Sequence, residues 1–181
     1  MEILLLFLPL LASIISGFFG KYIGDRTSEI ITSLFVVISA LLSLFLFYNV
    51  IVNGYESNVV IATWINSGTL DVNWSIKVDA LSSVMLVVVT LVSSLVHIYS
   101  IGYMSHDPHK PRFMAYLSLF TFAMLTLVTS DNFLQLFFGW EGVGLCSYFL
   151  IGFWFKKDSA NAAAIKAFVV NRVGDFGFAL G

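Results

Sequence analysis

The fold is decided by the stretch FFGWEGVGLCSY, residues 137–148, because it places one carboxylate, Glu141, inside an apolar run from about Phe133 to Phe155. A run of this length can cross a bilayer as a helix. A charged side chain near the bilayer centre costs roughly 2.5–3.5 kcal/mol, so such residues usually face a protein interior or a water cavity. Glu141 is therefore either a residue that relays protons or moves ions, which is the default interpretation, or a buried acid that only hydrogen-bonds a neighbouring helix.

The composition is that of a polytopic membrane protein. Of the 181 residues, 59% are hydrophobic and only 11% are charged, far from the balance of a soluble globular domain. The net charge of −2 gives no sign of the basic stripe that nucleic-acid-binding proteins carry. The single cysteine, Cys146, cannot form an internal disulfide or a multi-thiolate metal site. We predict an all-α polytopic membrane protein without a nucleic-acid partner.

Six segments predict about six transmembrane helices. The first begins with the acid Glu2 and is too long for the apolar core of a secretory signal, so it is predicted to be a permanent helix. The sixth is unusual because it carries Lys166, Arg172 and Asp175. The predicted helices cover residues 3–19, 30–52, 80–104, 113–129, 133–155 and the segment from about 158 onward.

A β-hairpin is predicted between the second and third helices. Residues 66–68, Asn-Ser-Gly, are a turn signal, and apolar residues alternate with polar ones from Leu70 to Asp79. A period of two is expected of a half-buried strand. The hairpin lies outside the bilayer in this interpretation, where it either caps the helices or touches a partner subunit.

Orientation follows from the basic residues in alternate loops. Positive residues mark the cytoplasmic side of a membrane protein. The N-terminus, the hairpin and the link at Asp131 are therefore predicted to face outward. The loops after helices one, three and five hold Lys21, Arg26, Lys110, Arg112, Lys156 and Lys157, whereas the loops after helices two and four hold only Lys77.

Helices five and six are predicted to share a buried polar track. Glu141 lies about 21 Å along helix five from its inner end, at a rise of about 1.5 Å per residue, and Arg172 lies at a similar depth on helix six. Arg172 and Asp175 share a helix face at i, i+3. A nearby cation favours the ionised form of a carboxylate, whereas low dielectric favours the protonated form. The group is therefore either a proton switch or a static ion pair that fixes packing.

Three other features allow two interpretations each. His97 on helix three is a structural hydrogen-bonding residue or a proton relay. The glycines at 139, 142 and 144 allow close helix packing or local loosening of the backbone. His106 and His109 are three residues apart, a weak metal signal without further ligands. No motif predicts redox chemistry, since the sequence has no nucleotide-binding glycine turn after a strand and no cysteine cluster.

Four segments together resemble the antiporter-like, proton-translocating subunits of respiratory complex I, NADH:quinone oxidoreductase. They are HIYSIGYM at 97–104, RFMAYLSLFTF at 112–122, FGWEGVG at 138–144 and NRVGD at 171–175. Related cation/proton antiporter and membrane-hydrogenase subunits share much of this pattern. The resemblance covers essentially the whole sequence.

The resemblance implies inverted repeats of membrane helices, with half-channels for protons and a central line of buried charges. Glu141 matches the essential membrane glutamate of the family, Lys166, Arg172 and Asp175 match charged positions tied to the proton path, and His97 lies in a matching motif. It also implies that the chain itself carries no cofactor or metal, because NADH, FMN, iron–sulfur clusters and quinone are handled by partner subunits.

Family members are several times longer, and contain a broken seventh helix whose lysine partners the glutamate. The sequence is therefore interpreted as an N-terminal fragment, with residues 1–79 forming a two-helix segment plus hairpin and residues 80–181 forming an incomplete antiporter-like domain. The alternatives are a subunit of a multisubunit cation/proton antiporter and a truncated, non-catalytic membrane protein. The expected location is the inner membrane of a bacterium or mitochondrion.

Overall fold

The computed structural model describes residues 1–68 and 70–181, and there it contains six α-helices and one antiparallel pair of strands. The predicted fold class, with a hairpin between the second and third helices, is confirmed. The helices are α1 (Glu2–Ile23), α2 (Asp25–Asn53), α3 (Ala80–Tyr103), α4 (Lys110–Val128), α5 (Phe133–Ile151) and α6 (Asp158–Leu180), and the strands are β1 (Ser57–Ser67) and β2 (Leu70–Val78).

Helices α1 to α5 are each long and apolar enough to cross a membrane. Helix α6 has 23 residues, which is also sufficient in length. It is less apolar than the other five because Lys166, Arg172 and Asp175 interrupt its hydrophobic residues. Such charges in a membrane helix must face protein or water.

Two helix ends differ from the sequence prediction. Helices α1 and α2 are separated only by Gly24, whose φ of +88° suits a residue without a side chain, so the predicted loop over residues 20–26 is mostly helical. Helix α5 ends at Ile151 and not at Phe155. A Cβ atom on Gly152 would lie 3.3 Å from the Cβ atom of Ala164, so the chain turns where α6 packs closely against it.

Helices α1 to α4 form a bundle joined by small and hydroxyl side chains. The Ser13 hydroxyl of α1 donates to the Ala115 carbonyl oxygen of α4 at 2.9 Å. The hydroxyls of Ser43 on α2 and Thr90 on α3 lie 2.7 Å apart. Small residues let membrane helices approach closely, and hydroxyls hydrogen-bond between them. Helix α5 then packs on α4, and α6 packs on α5.

The bundle has two distinct ends. At the hairpin end, buried apolar residues of α1 to α4 and β2 form one cluster, made of Leu5, Leu6, Leu46, Val50, Ile76, Val78, Leu86 and Leu125. The opposite end is called the basic end, because the segments there carry Lys21, Arg26, Lys110, Arg112, Lys156 and Lys157.

The strand alternation holds for most of β2 but not for Ser75. Val72, Ile76 and Val78 are buried as the pattern predicts. Ser75, predicted on the polar face, is also buried, because Gln135 of α5 covers its backbone. The predicted turn is present at Gly68, with a φ of +62°, whereas Thr69 and the side chain of Leu70 lie outside the described residues.

The hairpin caps the helices. The Gln135 side chain accepts from the Ser75 backbone N–H at 3.0 Å and donates to the Ser75 carbonyl oxygen at 2.7 Å. The backbone N–H of Lys77 donates to the Thr129 carbonyl oxygen, at the end of α4, at 2.9 Å. The side-chain ammonium of Lys77 lies 3.2 Å from Oδ1 of Asp131. These contacts show that the hairpin caps α4 and α5, whereas contact with a partner subunit stays a prediction.

The junction between hairpin and α3 is fixed by a capping box. The Asp79 carboxylate accepts from the Ser82 backbone N–H at 2.8 Å, and the Ser82 hydroxyl accepts from the Asp79 N–H at 2.8 Å. The hydrogen bond from the Ser82 backbone holds the pKa of Asp79 below its usual value. Reciprocal bonds of this type satisfy two backbone donors at a helix start.

Replacing Gln135 by alanine is expected to loosen the hairpin from the bundle. The change leaves both buried backbone groups of Ser75 unpaired, at a cost of roughly 1–3 kcal/mol for each group. The measurement is limited proteolysis and thermal unfolding of the purified membrane protein in detergent. Replacing Asn58 by alanine, whose bond to Asp131 is exposed, is the control and should leave both readouts near wild type. Equal protease resistance of the two variants would contradict the proposed anchoring.

Candidate functional site

The acid and the guanidinium predicted at one depth form an ion pair between α5 and α6. An Nη1 atom of Arg172 donates to Oε2 of Glu141. The same nitrogen lies 3.3 Å from Oδ2 of Asp175, one turn further along α6. The predicted meeting of these three residues is therefore confirmed, and Glu141 is not a solitary charge.

Asp175 is the more deeply buried of the two acids and is held from α5. Its side chain is 9% exposed, and its Oδ1 atom accepts from the indole Nε1–H of Trp140 at 2.7 Å. The carboxyl group of Asp175 thus has one oxygen fixed by the indole and the other facing Arg172. This arrangement orients Asp175 as a second possible partner for the guanidinium.

A cavity of about 160 Å³, with both polar and apolar side chains in its wall, adjoins the ion pair. Its size is sufficient for several water molecules. The guanidinium of Arg172 lies 4.3 Å from the ring centre of Phe168, a cation–π contact that supports the side chain from one side. The cavity is lined by Trp140, Glu141, Val143, Gly144, Ser147, Phe168, Asn171, Arg172 and Asp175.

The formal charges of the cluster do not cancel. The carboxyl groups of Glu141 and Asp175 both face the single guanidinium of Arg172. With all three groups ionised, the cluster carries a net charge of −1.

The glycines of α5 differ in their surroundings. A Cβ atom on Gly139 would lie 2.7 Å from the Cα and N atoms of Leu127, and one on Gly142 would lie 3.2 Å from the Cβ atom of Ala123. Both glycines therefore let α5 approach α4 closely. Gly144 lies at the cavity instead, where a Cβ atom would be 3.9 Å from the Asn171 amide nitrogen. Packing thus explains the first two glycines.

His97 lies in the α1–α4 bundle and is fully buried. Its Nδ1 atom lies 2.8 Å from the Ser93 carbonyl oxygen, and its Nε2 atom lies 3.0 Å from the Ser118 hydroxyl. A carbonyl oxygen only accepts, so Nδ1 donates to Ser93 and Nε2 accepts from the Ser118 hydroxyl. Within residues 1–68 and 70–181, no direct hydrogen bond joins His97 to the Glu141 cluster.

Lys166 also lies apart from the cluster. It is exposed on α6, six residues before Arg172, and so on a different face of a helix with 3.6 residues per turn. The structure therefore groups three of the five predicted site residues and leaves His97 and Lys166 outside.

The sequence analysis did not identify Trp140, which holds Asp175 from α5. A buried indole N–H needs a hydrogen-bond acceptor, and this need could have indicated that Trp140 bonds a nearby acid.

The fold and the site together define a class of protein: a multi-pass membrane protein that holds an ion pair beside a cavity between two helices. Residues 64–114 match the family model "NADH-Ubiquinone oxidoreductase (complex I), chain 5 N-terminus". Residues 130–181, which contain the cluster, match the model "NADH:quinone oxidoreductase/Mrp antiporter, TM".

Curated relatives match over the whole sequence. NADH-ubiquinone oxidoreductase chain 5 of Arabidopsis thaliana is 59% identical over 181 residues, which are 100% of this chain and 27% of that protein. NADH-quinone oxidoreductase subunit L of Rickettsia bellii is 54% identical over 179 residues, which are 99% of this chain and 28% of that protein. The chain belongs to this family of complex I chain 5 and subunit L proteins, and it spans about a quarter of their length.

A solved structure shows the same fold at low sequence identity. A chain in the structure of the membrane-bound sulfane sulfur reductase, an archaeal respiratory membrane complex, aligns with a TM-score of 0.81 and 18% identity. The alignment covers 96% of this chain and 34% of that chain. At this identity the likeness concerns the fold alone.

Proposed function

We propose that the chain takes part in proton translocation by NADH:quinone oxidoreductase, with Glu141 as the carboxylate that binds and releases the proton. The observation that carries the proposal is the pairing of Glu141 and Arg172 beside a cavity in a member of this family. The chain supplies no redox group in this proposal. NADH, FMN, iron–sulfur clusters and quinone belong to partner subunits, and other membrane subunits transmit the energy of electron transfer to the cluster.

The proposed mechanism depends on whether Arg172 pairs with Glu141 or with Asp175. While the guanidinium pairs with Glu141, it stabilises the ionised form of that acid. A small movement toward Asp175, whose Oδ2 atom is already 3.3 Å away, removes this stabilisation and favours protonation of Glu141. Water in the cavity delivers the proton. A return of Arg172 to Glu141 then expels it.

The remaining predictions about the site and the membrane belong to the same proposal. His97 acts as a proton relay inside the α1–α4 bundle. Lys166 lies outside the cluster, and its positive charge contributes to the electrostatic potential along α6. The chain lies in a bacterial or mitochondrial inner membrane with its N-terminus and hairpin facing outward, because the basic end marks the inner side. Residues 1–79 act as a supporting segment, and residues 80–181 belong to the proton-translocating domain.

A second function, cation/proton antiport, is favoured by one specific observation. The model that matches residues 130–181 describes both NADH:quinone oxidoreductase and Mrp antiporter membrane segments. A cluster with a net charge of −1 is also suited to binding a cation. Sodium-dependent proton movement in vesicles without NADH oxidation would favour this second function.

The test replaces Glu141 by glutamine in the assembled complex. Glutamine keeps the shape and neutral hydrogen bonding of a protonated acid but cannot release a proton. We expect proton pumping in inverted membrane vesicles to fall several-fold relative to electron transfer, with normal assembly. The matched control is Glu56 to glutamine, because Glu56 is exposed. Unchanged pumping and quinone reductase activity in the Glu141 variant would refute its assignment as the proton-binding residue.

A further inference from the structure

Two adjacent residues of α5 each bind one charged residue of α6. The indole Nε1–H of Trp140 donates to Oδ1 of Asp175 at 2.7 Å, and the carboxylate of Glu141 accepts from Nη1 of Arg172. The same Nη1 atom lies 3.3 Å from Oδ2 of Asp175. The four side chains therefore form a closed ring of polar contacts between the two helices.

The two acids of this ring are unequal partners of the guanidinium. Arg172 makes a direct hydrogen bond to Glu141. Its distance of 3.3 Å from Asp175 is longer than the roughly 2.7–2.9 Å of a hydrogen bond between an ammonium or guanidinium nitrogen and a carboxylate. Glu141 is therefore the closer partner of Arg172 in the structure, and Asp175 is the more distant one.

The hydrogen bond from Trp140 explains this inequality. A carboxylate pairs most strongly with a guanidinium when both of its oxygens face the donors, in a bidentate pair. The indole N–H occupies one oxygen of Asp175, so only the other oxygen faces Arg172. Because an indole N–H only donates, Trp140 cannot accept a hydrogen bond from Arg172. Its effect on the guanidinium therefore passes through Asp175.

The role of Trp140 lies in its hydrogen bond more than in its packing. The residue is 50% exposed, so half of its surface makes no contact with the described residues. Its N–H is nevertheless directed to the side chain of Asp175, which is only 9% exposed. A smaller aromatic ring at position 140 should therefore leave the helices in place while it removes the hydrogen bond.

We propose that Trp140 is a positioning residue that keeps Arg172 paired with Glu141, because it leaves Asp175 a single oxygen for the guanidinium. Without the indole N–H, the carboxyl group of Asp175 can turn both oxygens toward Arg172 and take the guanidinium from Glu141. The consequence for pumping rests on the proposed function, in which Arg172 must return to Glu141 to expel the proton. The choice of partner itself does not depend on that function.

The choice of partner is tested by high-resolution cryo-electron microscopy of the assembled complex. Trp140→Phe removes the N–H and keeps an aromatic ring. We expect the guanidinium of Arg172 to contact Glu141 in the wild type and Asp175 in this variant. A guanidinium that stays on Glu141 in the variant would overturn the proposal.

The matched control is Trp154→Phe at the basic end. The indole of Trp154 also donates to a carboxylate, Oδ2 of Asp107, at 3.0 Å, but this bond is exposed. The control should leave the pairing of Arg172 and the rate of pumping as in the wild type. Benzothienylalanine at position 140 guards against a packing defect, because it has the shape of tryptophan with sulfur in place of the N–H. It should cause the same change of partner as Trp140→Phe.

A double-mutant cycle distinguishes positioning from a packing role. Trp140→Phe alone should slow proton pumping several-fold. In a chain that already carries Asp175→Ala, the same substitution should have no further effect, because Trp140 acts through Asp175. Losses that add independently in the double variant would show a packing role and overturn the proposal.

The same measurements separate this proposal from the function proposed above. If Arg172 changes partner in Trp140→Phe while Glu141→Gln pumps normally, the proposed function fails and the positioning role stands. If Arg172 stays on Glu141 in Trp140→Phe while Glu141→Gln stops pumping, the positioning role fails and the proposed function stands.

Discussion

Replacing Gly139 by alanine is expected to prevent normal packing of α5 on α4 and to reduce assembly of the protein severely. The added Cβ atom would lie 2.7 Å from the Cα and N atoms of Leu127 and 2.8 Å from its Cβ atom. These are mainly backbone atoms, so no side-chain rotation relieves the overlap. Overpacking costs about 1–3 kcal/mol and occasionally more, and a clash with helix backbone belongs to the upper part of this range.

The readout is the fraction of the chain that enters the assembled complex on a native gel, together with its thermal stability in detergent. The control is Gly102→Ala on α3, where, among the described residues, no atom beyond its own stretch of helix lies within 4 Å of the added Cβ. Alanine is favoured over glycine in a helix by about 1 kcal/mol, so this control should assemble at least as well as wild type. Normal assembly of the Gly139 variant would show that α4 and α5 are not held in close contact in the membrane.

Replacing Arg172 by glutamine is expected to reduce proton movement strongly. The substitution removes the cation of the cluster and leaves Glu141 and Asp175 facing each other. The Arg172 side chain is 39% exposed and that of Glu141 is 23% exposed, so water screens part of the interaction. The proposed switch nevertheless depends on this cation, because its exchange of partners releases the proton. We therefore expect pumping to fall at least tenfold.

This effect should be comparable with that of Glu141→Gln, because each substitution removes one partner of the pair on which the proposed switch depends. Arg172→Lys keeps the charge but not the planar fork of donors, and it should recover part of the pumping. The matched control is Arg26→Gln, since Arg26 is exposed at the start of α2. Pumping equal to wild type in Arg172→Gln, with normal expression, would rule out the exchange of partners between Glu141 and Asp175.

Much of the fold is encoded by simple periodicities. The apolar runs predicted the helices, and the alternation after Gly68 predicted β2, because both patterns reflect burial of one face. The end of α5 was wrong by several residues, since hydropathy does not register the turn at Gly152. The placement of Ser75 on the polar face of the strand was also wrong, because its burial depends on a contact with Gln135 of a distant segment, which a local pattern does not contain.

Part of the site could be predicted because charged residues are rare in membrane helices and therefore mark functional positions. Glu141, Arg172 and Asp175 were placed together by depth counting along antiparallel helices, and they are in contact. The hydrogen bond from Trp140 to Asp175 was not predicted, because an aromatic residue in an apolar helix is not unusual. The structure separates Lys166 and His97 from the cluster, and their roles stay predictions.

The contact between Gln135 and Ser75 has a consequence for the order of biogenesis. The two residues are 60 positions apart in the chain, so α3 and α4 must both be inserted before the start of α5 can reach β2. Until then, the backbone groups of Ser75 rely on solvent. The hairpin thus matures only after the fourth and fifth helices have emerged on its side of the membrane, and its protection from protease would report how far insertion of the nascent chain has advanced.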